Sequence, residues 1–433
     1  MQLKNLLAVS AIAGLASAAN NSTLTTATPS INKDCSFSDF TATASSQVSQ
    51  VAACETAAGN IVINGDAFGS VELTGLQQLY GDLAIRNVTK AQTINAPTLQ
   101  LVSGDLEINA CTVLSNLNLA QLTTVGTLEL TALPALESTG LAAGLTSAES
   151  IIVSDTGLNH LTGINVYRLK VFNVNNNGDI DSIDSGLKEV TDTLDISYNA
   201  DKVDVNLDEL TSAKNIVLQQ VNSFNAPNLT VANGSITVTS SSLEKLELAQ
   251  LKSVGNAIAI NKNEDLEELE FPKLTTIGGA LQISDNDNLK SLDAFSEVTQ
   301  IGGTVNINGS FDNGTFDSLT KVAGGFILKI DGDLSCSAFN KLNTKGDVKG
   351  DKFQCQDQQT TSSSSSKKSQ SSDSSDSSDS SGSGSDSSSS SNSDSDSSSS
   401  DSSSKSNGAS SSSKIGLFAT VVSIFVGVGA ALF

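Results

Sequence analysis

The stretch GALQISDNDNLKSL, residues 279–292, contains a pattern that returns along most of the chain. Counting Leu281 as position zero, apolar residues fall at positions zero, two, eight and eleven, and Asn286 falls at position five. The segments that begin at Ile258 and Phe172 have the same spacing. A pattern that recurs in this way is the signature of a repeat protein.

Position zero recurs about every 22 residues, a period within the range of leucine-rich repeats and too short for helical-pair repeats. Apolar residues at positions zero and two predict a short strand with one face inward. A glycine often precedes this strand, as Gly81 and Gly104 do, and we interpret it as marking a corner. The position-zero residues are Ile61, Leu83, Leu106, Leu128, Ile151, Phe172, Leu194, Ile216, Ile236, Ile258, Leu281, Val305 and Phe326.

The repeats must stack, because one repeat of this length cannot bury its own apolar face. The sequence therefore predicts an all-β dominated fold, a right-handed parallel β-solenoid of about 13 leucine-rich-repeat-like rungs with short capping helices at both ends. The asparagine at position five is expected where the chain leaves the strand, in an internal ladder that bonds backbone groups. The predicted ladder residues are Asn177, Asn199, Asn263 and Asn286.

The cysteines indicate a disulfide-bonded cap at each end of the repeats. Two lie before the first repeat and two lie after the last, at the same separation. Solenoid ends expose unpaired strand edges, and disulfides suit an oxidising compartment. We therefore predict the bonds Cys35–Cys54 and Cys336–Cys355, with a short amphipathic helix within residues 37–53. Cys111 stands at position five of its repeat and is expected to be buried rather than reactive.

The two ends of the chain carry processing signals. Lys4, an apolar run at residues 6–15 and the small residues 16–18 are typical of a secretory signal peptide. Small residues from Asn407, a polar spacer and the apolar tail 415–433 together indicate a GPI anchor attached at Asn407. The competing interpretation is a single transmembrane helix, because the tail has the length of a membrane span.

Residues 360–413 are mostly serine with aspartate and glycine, a composition that cannot recover the entropy lost on ordering. We expect a disordered stalk there, which O-glycosylation would stiffen. The predicted organisation is a signal peptide at 1–18, an N-terminal disulfide cap at 19–58, the repeat solenoid at 59–334, a C-terminal disulfide cap at 335–359, the serine-rich disordered stalk at 360–407 and a GPI-attachment propeptide at 408–433.

Asparagine-x-serine/threonine motifs are candidate N-glycosylation sites in a secreted chain. Most of them are expected near corners or loops of the rungs, where a glycan would be accommodated. Two others overlap beside the predicted cleavage site and carry less weight. The motifs stand at Asn87, Asn228, Asn233, Asn308 and Asn313, and at Asn20 and Asn21.

Composition restricts the chemistry. The net charge of −23 argues against nucleic-acid binding, which requires Lys and Arg. With His160 as the only histidine, neither a histidine-centred triad nor a zinc protease site can be built, and we expect no metal, cofactor or catalytic residue. Glu107 and Glu129 recur at the outward position one and are the candidates for a glycosidase pair. The acidic corner Glu264, Asp265, Glu267 and Glu268 is interpreted as a solvated face, since it lacks the spacing of a calcium-binding loop.

With repeats, caps, stalk and anchor signal in place, the chain resembles the fungal GPI-anchored cell-wall organisation glycoproteins, whose ectodomains are similar to receptor L-domains. The resemblance rests on rungs with Gly-x-Leu-x-Ile starts, on the motifs LTTV at 122–125 and LTTI at 274–277, and on the serine-rich end. It implies a surface protein needed for wall integrity, normal morphology and display of the outer mannoprotein layer, without a known catalytic reaction. It also implies a location at the plasma membrane and in the wall.

We therefore expect a non-enzymatic scaffold or binding surface whose partners are wall polysaccharides or wall mannoproteins, held at the membrane by its GPI lipid. One alternative is a GPI-anchored glycan hydrolase or transferase, which needs a carboxylate pair in a cleft. A second alternative is an adhesin or receptor-like protein, which the stalk and the L-domain likeness suggest.

Overall fold

The computed structural model describes residues 29–358, which belong to one compact unit, residues 1–371. A second unit, residues 372–433, lies outside the described part. The predicted signal peptide, the serine-rich stalk and the GPI-attachment propeptide therefore also lie outside it, and so do Asn20, Asn21 and Asn407.

The described residues form short strands and very few helices. The helices are α1 (Ser45–Ala52) and α2 (Asn340–Thr344), with 3-10 turns at Lys33–Cys35, Asp293–Phe295 and Cys336–Ala338. The strands are β1 (Phe40–Ala42), β2 (Thr56–Ala58), β3 (Ile61–Asn64), β4 (Ser70–Glu72), β5 (Gln78–Tyr80), β6 (Leu83–Arg86), β7 (Thr93–Asn95), β8 (Leu101–Asn109), β9 (Asn116–Asn118), β10 (Thr124–Leu133), β11 (Ser150–Thr156), β12 (Arg168–Asn175), β13 (Ser182–Asp184), β14 (Glu189–Ser197), β15 (Asp204–Asn206), β16 (Ser212–Gln219), β17 (Ser223–Asn225), β18 (Val231–Ala232), β19 (Ile236–Thr239), β20 (Lys245–Glu247), β21 (Ser253–Val254), β22 (Ile258–Asn261), β23 (Glu268–Glu270), β24 (Thr276–Ile277), β25 (Leu281–Ser284), β26 (Gln300–Ile301), β27 (Val305–Gly309), β28 (Lys321–Val322), β29 (Phe326–Ile330) and β30 (Phe353–Gln356).

The strands of successive rungs pair in parallel and in register. Ile61 pairs with Leu83, Val305 pairs with Phe326, and every position-zero residue between them pairs with the next one along the chain. The result is one 22-stranded sheet, called the long sheet below, with smaller parallel sheets on other sides of the rungs. The predicted parallel β-solenoid of about 13 rungs is confirmed.

The stack extends further than the predicted repeat segment 59–334. Strand β1 pairs in parallel with β3, and β30 pairs in parallel with β29, so each cap contributes a strand to the long sheet. The N-terminal helix covers only Ser45–Ala52, because Phe40 belongs to the added strand rather than to the helix. Cys35 is bonded to Cys54 and Cys336 to Cys355, the pairs that the sequence predicts.

One continuous core runs through the stack. The residues at positions zero and two are buried in each rung, as Leu281 and Ile283 illustrate, and so are Leu289 and Leu292 in the second half of that rung. Since neighbouring rungs share this apolar interior, no rung is stable by itself, and burial at about 25 cal/mol per Å² of apolar surface supplies the main stabilising term.

The asparagine ladder lies inside the solenoid. Asn263 is fully buried; its Oδ1 accepts from the Ser241 backbone N–H at 3.0 Å, and its Nδ2 donates to the Val238 carbonyl at 3.1 Å and to Asn286 Oδ1 at 3.0 Å. Asn177 and Asn199 make the same kind of contacts in rungs nearer the N-terminus. The ladder therefore joins neighbouring rungs through groups that water cannot reach.

The ladder does not continue into the N-terminal rungs. Position five is occupied there by Val88, Cys111 and Leu133, all fully buried. Cys111 thus lies in an apolar column, as expected from its place in the repeat, and burial raises the pKa of its thiol. The same corner can be filled by apolar contact or by amide hydrogen bonds.

The corner that follows each strand has a left-handed backbone. Position four has φ between 50° and 59° in ten rungs. In several of them its N–H still donates to the next rung, as Lys262 does to the Ser284 carbonyl at 3.0 Å. Such a conformation costs about 1–2 kcal/mol for a non-glycine residue, which the inter-rung bonding must offset. The residues are Asn87, Ala110, Ala132, Asp155, Asn176, Tyr198, Gln220, Ser240, Lys262 and Asp285.

The ladder's contribution to stability can be measured with Asn263→Ala. The change leaves the buried Ser241 N–H without its partner and removes the bonds to the Val238 carbonyl and to Asn286, so the free energy of unfolding is expected to fall by about 2–5 kcal/mol. Asn261→Ala, an outward change in the same rung, is the matched control and should cost less than about 1 kcal/mol. Equal losses in urea unfolding would show that the ladder has no special role.

Candidate functional site

The outward side of the long sheet carries side chains that do not belong to the apolar core of the repeat. Because strand residues alternate between faces, positions one and three point away from the core. Over eight consecutive rungs these positions carry mostly small, uncharged polar side chains. This surface, called the polar face, consists of Ile152, Ser154, Asn173, Asn175, Asp195, Ser197, Val217, Gln219, Thr237, Thr239, Ala259, Asn261, Gln282, Ser284, Asn306 and Asn308.

Hydrogen bonds between side chains hold part of the polar face in place. Ser154 donates to Asn175 Oδ1 at 2.6 Å, and Ser284 donates to Asn261 Oδ1 at 3.1 Å. The face carries one carboxylate, Asp195; burial raises its pKa, while the Ser197 hydroxyl that donates to it acts in the opposite direction. The face thus offers amides and hydroxyls that both donate and accept hydrogen bonds.

Two grooves adjoin the C-terminal part of the polar face. One, of about 430 Å³, lies over Gln219, Gln282 and Asn306. The other, of about 510 Å³, lies around the corner and is lined by the acidic residues Glu264 and Asp265, with Lys262 shared between the two grooves.

The predicted acidic corner is therefore divided. Glu264 and Asp265 face the second groove, whereas Glu268 lies on β23 with its carboxylate 3.6 Å from Lys245 Nζ. Within residues 29–358, no three His, Cys, Asp or Glu side chains are grouped so that they could hold a metal ion, and His160 is an exposed loop residue between β11 and β12.

The two candidate catalytic carboxylates lie side by side. Glu107 and Glu129 occupy paired positions on β8 and β10. The Arg86 guanidinium donates to Glu107, with Nε 2.6 Å from Oε1, and this bond raises the pKa of Arg86. Burial, and then the charge of Glu107, raise the pKa of Glu129. Neither carboxylate lines the two grooves beside the polar face, and both side chains are half-buried on their strands.

The structure places most sequons where a glycan has room. Asn87 is exposed at a left-handed corner, and Asn228, Asn233 and Asn313 are exposed at turns or rung ends. Asn308 differs from the expectation of a corner or loop, because it is half-buried at position three of β27 and belongs to the polar face.

None of the helices formed by residues 29–358 is long and apolar enough to cross a membrane.

A capped stack of parallel rungs with one continuous core defines a repeat protein of the parallel β-solenoid class. The chain is 39% identical over 336 residues to the cell surface GPI-anchored protein ECM33 of Candida albicans, covering 77% of this chain and 81% of that protein. It is 33% identical over 315 residues to the cell wall mannoprotein PST1 of Saccharomyces cerevisiae, covering 72% and 70%. The chain belongs to this family of fungal GPI-anchored cell-surface and cell-wall proteins.

A more distant relative is protein ecm33 of Aspergillus fumigatus, which is 27% identical over 326 residues, covering 75% of this chain and 81% of that protein. No protein-family model and no solved structure matches the chain.

The raised pKa of Glu129 predicts a pH-dependent effect of Glu129→Gln. The folded state holds this proton more tightly than the unfolded chain, so the wild type loses stability as pH rises through the folded pKa. Thermal unfolding should therefore show a higher midpoint for the variant at pH 7 and little change at pH 4. Glu107→Gln, which removes the partner of Arg86, should not raise the midpoint at pH 7. A gain for Glu129→Gln of equal size at both pH values would contradict the assignment.

Proposed function

We propose that the protein is a non-enzymatic, GPI-anchored surface glycoprotein that supports cell-wall organisation by binding wall polysaccharides or wall mannoproteins along the polar face. The observation that carries this proposal is the in-register run of mostly uncharged polar side chains on the long sheet. A polymer with regularly spaced hydroxyl groups can contact several rungs at once, so that weak contacts add up to useful affinity.

The family supports the location that this function requires. Relatives are named as cell-surface GPI-anchored and cell-wall proteins, which fits a signal peptide at 1–18, a stalk at 360–407 and anchor attachment at Asn407. We include N-glycosylation at Asn87, Asn228, Asn233, Asn308 and Asn313 in the proposal, and with less weight at Asn20 and Asn21. A glycan on Asn308 would cover the C-terminal end of the polar face.

Binding by the polar face can be tested with the detergent-solubilised full-length chain, carrying Asn308→Gln so that no glycan covers the face, on arrays of wall polysaccharides and mannoproteins. Gln282→Ala combined with Asn306→Ala removes two exposed amides from the face and should weaken binding at least about fivefold, at roughly 0.5–1.5 kcal/mol for each hydrogen bond. Gln121→Ala combined with Asn288→Ala removes two exposed amides from turns elsewhere and serves as the matched control. Equal binding by the two double variants would contradict the proposed face.

The Glu107 and Glu129 pair favours one alternative, a wall glycan hydrolase or transferase, because its members differ in charge environment. The same incubations, analysed for cleaved or transferred glycans, distinguish the two functions. We expect intact glycans and an unchanged wall phenotype for Glu107→Gln and Glu129→Gln. New products that disappear in either variant would establish the enzyme.

The anchor can be tested on membranes that carry the full-length chain. Phosphatidylinositol-specific phospholipase C should release the protein, because a GPI lipid is then its only attachment. A known GPI-anchored protein in the same membranes serves as the control. If that control is released while this protein is retained, a transmembrane helix replaces the proposed anchor.

A further inference from the structure

A second surface, away from the polar face, combines an aromatic ring with oriented polar groups. Tyr167 stands just before β12 and is 50% exposed; only Val113 and Tyr198 are comparable exposed large hydrophobic residues within 29–358. The Lys188 ammonium lies 5.2 Å from the centre of the Tyr167 ring, a cation–π contact that holds the ring in position. Gly186 faces the edge of the ring. A Cβ added at Gly186 would lie 3.6 Å from the nearest ring carbon, which is van der Waals contact.

This ring borders a groove of about 440 Å³ over the three-stranded sheet β13, β15 and β17. Asp184 and Asn206 are paired residues at the outward side of that sheet and line the groove. The Asp208 carboxylate is oriented by Asn225 Nδ2 at 2.7 Å and by Asn206 Nδ2 at 3.4 Å. The polar lining is therefore held partly rigid by its own hydrogen bonds.

Two groups in the groove are left without partners. Among residues 29–358, no hydrogen bond engages the Tyr167 hydroxyl or the Asp184 carboxylate. An exposed aromatic ring suits the apolar C–H face of a sugar, while carboxylates and amide oxygens accept the paired hydroxyl groups at its edge. The acidic lining disfavours phosphate and other anions.

We propose that the groove between Tyr167 and Asp208 is a binding subsite for a segment of an uncharged wall polysaccharide. Tyr167 supplies the stacking surface. The carboxylates of Asp184 and Asp208 accept hydrogen bonds from the hydroxyl groups of the sugar. The proposal rests on the proposed function, since it assigns the class of ligand and a second contact point for it. Asn228 donates to the Asp208 carbonyl at 2.7 Å, so a glycan on this sequon would begin at the groove edge.

The test titrates the full-length chain, carrying Asn228→Gln to keep the groove free, with soluble β-glucan, mannan and chitin oligosaccharides. Tyr167→Ala should weaken binding of one oligosaccharide class at least about tenfold, and Asp184→Asn should weaken it several-fold. Tyr167→Phe should retain most of the affinity. Val113→Ala removes an exposed large side chain that lines neither the groove nor the polar face and is the matched control. Unchanged thermal midpoints establish that each variant is folded.

The outcomes separate this inference from the proposed function. Equal affinity of Tyr167→Ala and Val113→Ala overturns the groove while leaving the polar face in place. Absence of binding by the parent chain to every oligosaccharide overturns the groove and the polysaccharide part of the proposed function, while binding to mannoproteins is decided by the arrays. Binding of a cationic chitosan oligosaccharide in place of the neutral ones, with an affinity that falls steeply between low and high salt, overturns the uncharged-ligand assignment, because stacking and hydroxyl contacts are screened little by salt.

Discussion

Register between rungs is the constraint on which the structure depends. Each strand must pair with the strand before it at the same residue, since a slip of one position would turn the apolar residues outward. The corner at position four keeps this register by adopting a left-handed backbone while still bonding to the next rung, even where the residue is Tyr198 or Lys262. Buried asparagines such as Asn263 then fix the same spacing from inside.

The structural role of each repeat position determines which side chains can contribute to function. Positions zero and two belong to the core, position four makes the corner, and position five fills or bonds its interior. Positions one and three are not needed for the core, and in the rungs from Ile151 to Val305 they are mostly amides and hydroxyls. The N-terminal rungs use them differently, since Arg86, Glu107 and Glu129 form a charged group there.

The periodic part of the fold could be predicted because it repeats: the spacing of Leu281 and Ile283 fixes strand, face and register in every rung. The strands of the caps were harder to predict from the sequence, since Phe40 and Phe353 join the long sheet from segments without the repeat pattern. The left-handed corner was missed because only Gly65 shows the residue type that normally marks it. The polar face carries no motif, although aligning the rungs by position one and three would have displayed it. The Tyr167 groove is lined by segments of three successive rungs that carry no repeat motif, so sequence spacing alone does not show that these side chains meet.

The terminal strands β1 and β30 have a further consequence. A stack of parallel strands can in principle recruit another chain at each end, as fibres do when their edges match. Here each end strand is followed or preceded by a disulfide-tied segment with a short helix rather than by another rung. The caps thereby end an otherwise open-ended stacking pattern at a fixed number of rungs.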